Sequence, residues 1–356
     1  MNKYWSLLTK KLSPYEPGEQ PQDRKYLKLN TNENPFPPSE EVLSKIRGSV
    51  SDSLRLYPDP NSTKLKSAIA NYYDLDINNI FVGNGSDEIL AFSFLAFFKD
   101  KNPISFPNVT YSFYPVYCNL FEIGFNTFPL DCNFSIDIEK IDTNSGGIIF
   151  PNPNAPTGVY FGLSGIEEIL NKFPDIMLIV DEAYIDFGGA SCIELIEKYN
   201  NLLVIQTFSK SRSLAGMRVG FAIGHPNLIM ALNRVKNSFN SYPLDTIAIE
   251  GAIGAIEDND YFVTCCSQIV EARKYLSNEL EKMSFHVLPS KANFLFVNHP
   301  KLDAASIYRK LKESGILVRH FNNPIIDNFL RITIGKKEEM ILLVKSIKSI
   351  TGVDHV

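Results

Sequence analysis

Cysteine is scarce in this chain and unpatterned, with five residues in 356, at positions 118, 132, 192, 265 and 266. An odd number without a CxxC pair or zinc-finger spacing suggests neither a disulfide framework nor a metal site, and it points to a reducing, cytoplasmic setting. Long apolar runs are missing too. The longest, around Ile89 to Phe98, is too short and too interrupted to span a bilayer and reads as a buried helix, and the opening MNKYWSLLTKKLSPYEPG lacks the apolar centre of a secretion signal. No block of like charge occurs: 35 basic against 40 acidic side chains leave a formal charge of -5. Such a balance gives no pull toward nucleic acid or an anionic membrane, so a small molecule is the natural partner. The densest charged run, Lys336-Lys337-Glu338-Glu339, mixes signs and reads as a solvated helix start.

What the chain does have is core material. Hydrophobic residues make up 44%, with 25 Phe and 16 Tyr, and the length suits two tightly associated domains. The short runs IFV (80 to 82), GIIF (147 to 150), IMLIVD (176 to 181), LLVIQT (202 to 207) and VGFAI (219 to 223) read as strands buried on both faces. Between them, Ile166, Ile169, Leu170 and Phe173 fall at helical spacing, as do Leu65, Ala68, Ile69 and Tyr72. Strand and helix alternating in this way predict an α/β fold with a mostly parallel sheet sandwiched by helices.

After Pro243 the texture changes. One long helical pattern runs from about Leu244 to Met283, followed by ANFLFV (292 to 297), a helix near Ala304 to Ser314, ILVRH (316 to 320) and LRITIG (330 to 335). The expected division is a large domain over 36–243 and a smaller α+β domain made of 244–356 with the opening segment 1–35.

Ligands of open α/β sheets collect beyond the carboxyl ends of the strands. The residues there are GNGSDE (83 to 88), TYSFY (110 to 114), PNPNAPTG (151 to 158), DEAY (181 to 184), TFSK (207 to 210) and Arg218. GNGSDE allows close backbone approach and places Ser86 to cap the helix that follows; it is either a plain cap or an anion site suited to phosphate. Asp181 at a buried strand end needs a cation or strong donors, whether a salt bridge, a loop cap or a protonated ring nitrogen. Lys210, directly past an apolar run, is either a surface lysine or an amine nucleophile. Arg218, Ser209 and Thr207 match a phosphate monoester, and Tyr111 can stack on a ring or serve as core. As a set, these groups describe a pocket for pyridoxal 5'-phosphate.

The ordered motifs LSPY, LNTNENP, YPDP, GNGSDE, TYSFY, NAPTG, DEAY, TFSKSRSLAGMRVGF, YPL, KANFLF, VRH and LRITIG resemble, nearly end to end, the fold-type I pyridoxal-phosphate aminotransferases and within them the histidinol-phosphate aminotransferase family. The resemblance implies that Lys210 forms the Schiff base, Asp181 pairs with the pyridinium nitrogen, Tyr111 stacks on the ring and Tyr184 donates to the phenolic oxygen. Ser86, Asp87, Thr207, Ser209 and Arg218 would surround the phosphate. Tyr57 would reach the cofactor of a neighbouring subunit, which implies a homodimer with shared active sites. Many relatives carry asparagine directly before PTG, where Ala155 stands here, so the phenolic contact falls to Asn154. For substrate the resemblance points to Tyr15, Asn34, Arg319 and Arg331, with the Asn32 to Asn34 segment closing the pocket. Arg331 lies on the face of its strand opposite Leu330, Ile332 and Ile334, where a solvated arginine is the alternative.

The activity so implied is ping-pong transfer of an amino group from L-histidinol phosphate to 2-oxoglutarate. Threonine-phosphate decarboxylation and aromatic amino-acid transamination are the rivals within the same chemistry, and a non-catalytic binding protein is the rival outside it.

Overall fold

The computed structural model describes residues 3–352. In chain order its strands are β1 (Leu27–Lys28), β2 (Ile80–Asn84), β3 (Ile104–Pro107), β4 (Phe125–Phe128), β5 (Ile148–Pro151), β6 (Leu178–Asp181), β7 (Leu202–Thr207), β8 (Val219–Gly224), β9 (His286–Val287), β10 (Phe294–Asn298), β11 (Ile316–Leu317), β12 (Arg319–His320) and β13 (Leu330–Thr333). Strands β2 to β8 form a seven-stranded sheet in the order β2-β8-β7-β6-β5-β3-β4. Neighbours run parallel except at β8, which is antiparallel to both β2 and β7.

Every residue of β5, β6, β7 and β8 is buried. Their apolar runs are continuous because helices cover both faces, and successive side chains serve opposite cores. Ile148, Phe150, Leu178, Val180, Leu202 and Val204 join one core, against Leu65 and Ile69 of helix Thr63–Tyr73 and Ile166, Ile169 and Leu170 of helix Leu163–Lys172. Ile149, Ile179, Leu203 and Ile205 join the other, against Ile89 and Leu90 of helix Gly85–Ser93 and Leu232 of helix Pro226–Phe239. Phe150 is wholly buried, a placement worth about 2 to 3 kcal/mol over an exposed site.

These two face layers together make the sheet core; a second core surrounds the antiparallel sheet β12-β13-β10-β9. Helices Asn259–Lys282, Ala304–Glu313 and Lys337–Thr351 pack on it through Ile269, Leu276, Ile307, Leu311, Leu343 and Ile347. The opening segment is tied in by parallel pairing of β1 with β11 and by the burial of Leu29.

The helical stretch expected from 244 to 283 is broken. Asp258 ends helix Thr246–Glu257, and its carboxylate accepts from the Tyr261 amide as the cap of the next helix. Ala248, Ala252 and Ile256 of the first helix pack in the sheet core, whereas Ile269 and Leu276 belong to the second. A capping aspartate at 258 thus interrupts the helix where its apolar face changes partner.

Strand direction places the chemistry. Strands β2, β6 and β7 end at Asn84, Asp181 and Thr207, and because β8 runs the other way its first residues share that edge: Val219 pairs with Asn84, and Gly220 with Thr207. Arg218, just before β8, is carried to the same edge as the ends of its neighbours.

Candidate active site

A cavity of about 890 Å³ opens beyond this edge, lined from the sheet side by Ser86, Asp87, Tyr111, Asp181, Tyr184, Thr207, Ser209, Lys210 and Arg218. From the other side come Tyr15, Arg319 and Arg331, so the site lies between the two cores.

At one end, Arg218 Nη2 donates to Asp87 Oδ2 at 2.8 Å and Nη1 to Ser209 Oγ at 3.3 Å, while Thr207 Oγ1 donates to Ser209 Oγ at 3.0 Å. Tyr111 joins the cluster by donating to Asp87 Oδ1 at 3.0 Å. Ser86 does not cap the adjoining helix; Asn84 holds the cap position, and Ser86 lies in the first turn, where amide N–H groups lack helical partners. Two glycines permit the cradle. Gly85 has φ 74 and a Cβ there would sit 2.6 Å from Arg218 Nη2, while a Cβ on Gly220 would lie 2.5 Å from the Ser86 backbone nitrogen. Backbone cannot yield as a side-chain tip can. Gly220→Ala is expected to cost about 1 to 3 kcal/mol through overpacking and to weaken binding of phosphorylated ligands, read by thermal denaturation and by titration with pyridoxal phosphate.

Asp181, 4% exposed, lines the same cavity. It accepts from the Ala183 amide at 3.2 Å and from the Tyr114 hydroxyl at 3.3 Å. Burial pushes its carboxyl up to about 6, and pushes the neighbouring Glu182 up to about 7. Both acids are thus held above their ordinary range, so each binds its proton more tightly folded than unfolded. Protein stripped of cofactor is expected to lose stability as pH rises from the ordinary carboxylate range to about 6 to 7, where the loss is complete. A cation opposite Asp181 relieves its share. The stabilisation given by pyridoxal phosphate is therefore expected to grow as pH rises from the ordinary carboxylate range to about 6, measured as the difference in melting temperature with and without it.

Lys210 stands three residues past the end of β7, with Nζ donating to the Thr31 carbonyl at 3.2 Å and lying 5.8 Å from the centroid of the Tyr184 ring. It lines the same cavity as Asp181. Arg331, left open in the sequence between solvent and site, is turned into this cavity while Leu330, Ile332 and Ile334 are buried behind it. Its Nη2 donates to the Asn30 carbonyl at 2.9 Å, and its Nε finds no partner among the described residues. Arg319 donates to the carbonyls of Pro17 and Glu16, which holds the segment 14–20 over the opening.

Two residues expected here are placed elsewhere, and Tyr57, expected at a neighbouring subunit's cofactor, lies off this chain's own cavity. Asn154 turns its amide to the Val109 carbonyl and Thr157 Oγ1 and faces a separate small cavity, because Ala155 takes the lining position. Asn34 braces the turn behind the lysine by donating to the carbonyls of Lys210 and Ser211. Tyr57 is 83% exposed and stacks on Tyr242, away from this chain's own cavity. Tyr114 went unassigned in the sequence, although it lies within TYSFY, and Asn32, expected only as part of the segment closing the pocket, donates through Nδ2 to the Tyr184 hydroxyl at 3.0 Å.

The donor set fits pyridoxal 5'-phosphate. Arg218, hydroxyls and free helix amides suit the phosphate, Tyr111 offers a ring face, Asp181 a carboxylate for the ring nitrogen and Lys210 an amine for the aldehyde. Fold and site together define an α/β enzyme that works on amines through a phosphorylated aldehyde cofactor. Residues 24–347 match the family described as aminotransferase class I and II, and the chain belongs to that family.

Within it, the chain falls with the histidinol-phosphate aminotransferases. It is 53% identical over 350 residues to the histidinol-phosphate aminotransferase of Clostridium beijerinckii, with 98% of each chain covered. It is 54% identical over 339 residues to histidinol-phosphate aminotransferase 1 of Pseudomonas fluorescens, covering 95% of this chain and 97% of that one. The fold is shared with the crystal structure of histidinol-phosphate aminotransferase from Sinorhizobium meliloti in complex with pyridoxal-5'-phosphate, at a TM-score of 0.89, 24% identity and 99% coverage of both chains.

Proposed function

We propose that this protein moves the amino group of L-histidinol phosphate to 2-oxoglutarate, yielding imidazole acetol phosphate and glutamate, in two half-reactions at one site. The observation that carries the reading is Arg331: a half-buried guanidinium with an unpartnered Nε, lining the cavity that holds Lys210, calls for an anionic substrate. Arg319 beside it gives the second cation that a phosphate monoester or a dicarboxylate needs. Near-full-length identity above 50% to histidinol-phosphate aminotransferases supports the phosphorylated amine.

When bound, pyridoxal phosphate supplies a protonated ring that absorbs the electron pair left by breaking the substrate Cα–H bond. The chain does the rest. Lys210 would hold the cofactor through its amine and, once the substrate amine takes its place, would serve as the base that moves the proton from substrate Cα. Asp181 would keep the ring nitrogen protonated, and Tyr184 would donate to the phenolic oxygen. Ser86, Thr207, Ser209 and Arg218 would hold the phosphate with the backbone amide of Asp87, Tyr111 would stack on the ring, and Tyr15 would help close the substrate pocket. The exposure of Tyr57, off its own cavity, supports a homodimer in which it completes the partner's phosphate site. The unpaired cysteines suit a cytoplasmic enzyme.

A panel of amines with 2-oxoglutarate tests the assignment by glutamate release. Histidinol phosphate is expected to give the highest kcat/KM. Dominant turnover of phenylalanine, or carbon dioxide release from threonine phosphate without 2-oxoglutarate, would contradict it.

A further inference from the structure

The hydroxyl of Tyr184 is held from the second core. Asn32 Nδ2 donates to it at 3.0 Å, and Asn32 is itself gripped twice by one side chain: its backbone N–H donates to Thr333 Oγ1 at 3.0 Å, and Thr333 Oγ1 donates to Asn32 Oδ1 at 3.0 Å. Donor counting sets the amide. The threonine oxygen accepts the backbone N–H, its own proton needs an acceptor, and Oδ1 supplies it, which turns Nδ2 to the tyrosine. Asn32 and Thr333 are both buried, so water does not compete for these bonds.

The consequence is directional. A phenol carries one proton, and with Asn32 donating to the Tyr184 oxygen that proton points elsewhere. Among the described residues Tyr184 donates to no protein acceptor, and the turn beside it adds no amide, since Asn154 faces Val109 and Thr157. The proton of Tyr184 is left for a ligand in the cavity.

We infer that Thr333 and Asn32 are a positioning pair that aims the Tyr184 proton at the cofactor's phenolic oxygen. The inference rests on the proposed role of Tyr184. Strand β13 then serves both ligands at once: Arg331 and Thr333 stand two residues apart on one face, the first bonded to the Asn30 carbonyl and the second to Asn32. Substrate engagement at Arg331 and the electronics of the cofactor are thereby linked through the segment 30–32.

Donation to the phenolic oxygen stabilises it as an anion and drains basicity from the neighbouring nitrogen, so losing the donor raises the pH at which that nitrogen gives up its proton. The test is a pH titration of the holoenzyme's visible absorption band in Thr333→Val, Thr333→Ser, Tyr184→Phe and the Thr333→Val/Tyr184→Phe pair. In Thr333→Val the midpoint is expected to rise by about half to one pH unit, with faster release of cofactor, while Thr333→Ser restores both. The double variant should match Tyr184→Phe alone, because the threonine acts through the tyrosine. A Thr333→Val holoenzyme with a normal band and an unmoved midpoint, or a double variant with additive shifts, overturns the pair while sparing the proposed function. Wild-type protein that forms no such band with pyridoxal phosphate overturns both.

Discussion

Replacing Lys210 with alanine is expected to lower kcat by about four orders of magnitude, at the upper end of what one acid–base group contributes. The effect is large because one amine serves three purposes: it anchors the aldehyde, leaves it to the substrate, and then moves the proton. The fold should survive. Among the described residues Nζ makes a single hydrogen bond, to the Thr31 carbonyl, and the turn that carries it is braced independently by Asn34 through the carbonyls of Lys210 and Ser211. Lys210→Arg separates charge from chemistry, since a guanidinium keeps the cation but does not condense with an aldehyde at neutral pH. Both variants should be equally inactive in glutamate release, and an arginine variant retaining more than a few per cent of kcat would contradict the role given to the amine.

The second large effect belongs to Asp181→Asn. The amide preserves volume and an acceptor for the Ala183 N–H, yet it removes the negative charge that holds a proton on the ring nitrogen. A loss in kcat of about a thousandfold is expected, with weaker retention of cofactor. A second readout has the opposite sign. The carboxyl of Asp181 is pushed up to about 6 by burial, so ionising it destabilises the fold, and the asparagine variant stripped of cofactor should lose less stability than wild type as pH rises through 6. Loss of activity joined to a flatter stability profile distinguishes an electrostatic role from simple damage to packing, which would lower stability at every pH.

These residues were legible in the sequence because the chemistry sits on loops, at the ends of strands whose buried runs announce themselves. Lys210, Asp181 and Arg218 each follow or precede such a run, and the antiparallel direction of β8 is what makes Arg218 consistent with the rest. Legibility stops where side-chain orientation decides the matter. Asn154 and Ala155 are neighbours, and only the turn's geometry reveals that the alanine lines the cavity while the asparagine faces away. Asn32 and Asn34 lie two apart in one motif, and their roles divide through partners 150 or more residues distant: Tyr184 and Thr333 for one, the Lys210 turn for the other. The break in the long helical pattern escaped the sequence for a different reason. Helical periodicity reads as unbroken from about residue 244 to 283, and a single capping aspartate at 258 separates a helix of the sheet core from one of the second.

Holoenzyme treated with sodium borohydride, digested and mapped by mass spectrometry tests the central claim most directly, because reduction makes the bond between protein and cofactor permanent. The account predicts one phosphopyridoxyl-bearing peptide, containing Lys210, and loss of the visible absorption. Label on another lysine, such as Lys291 near the junction of the two cores, or no label at all, would contradict it.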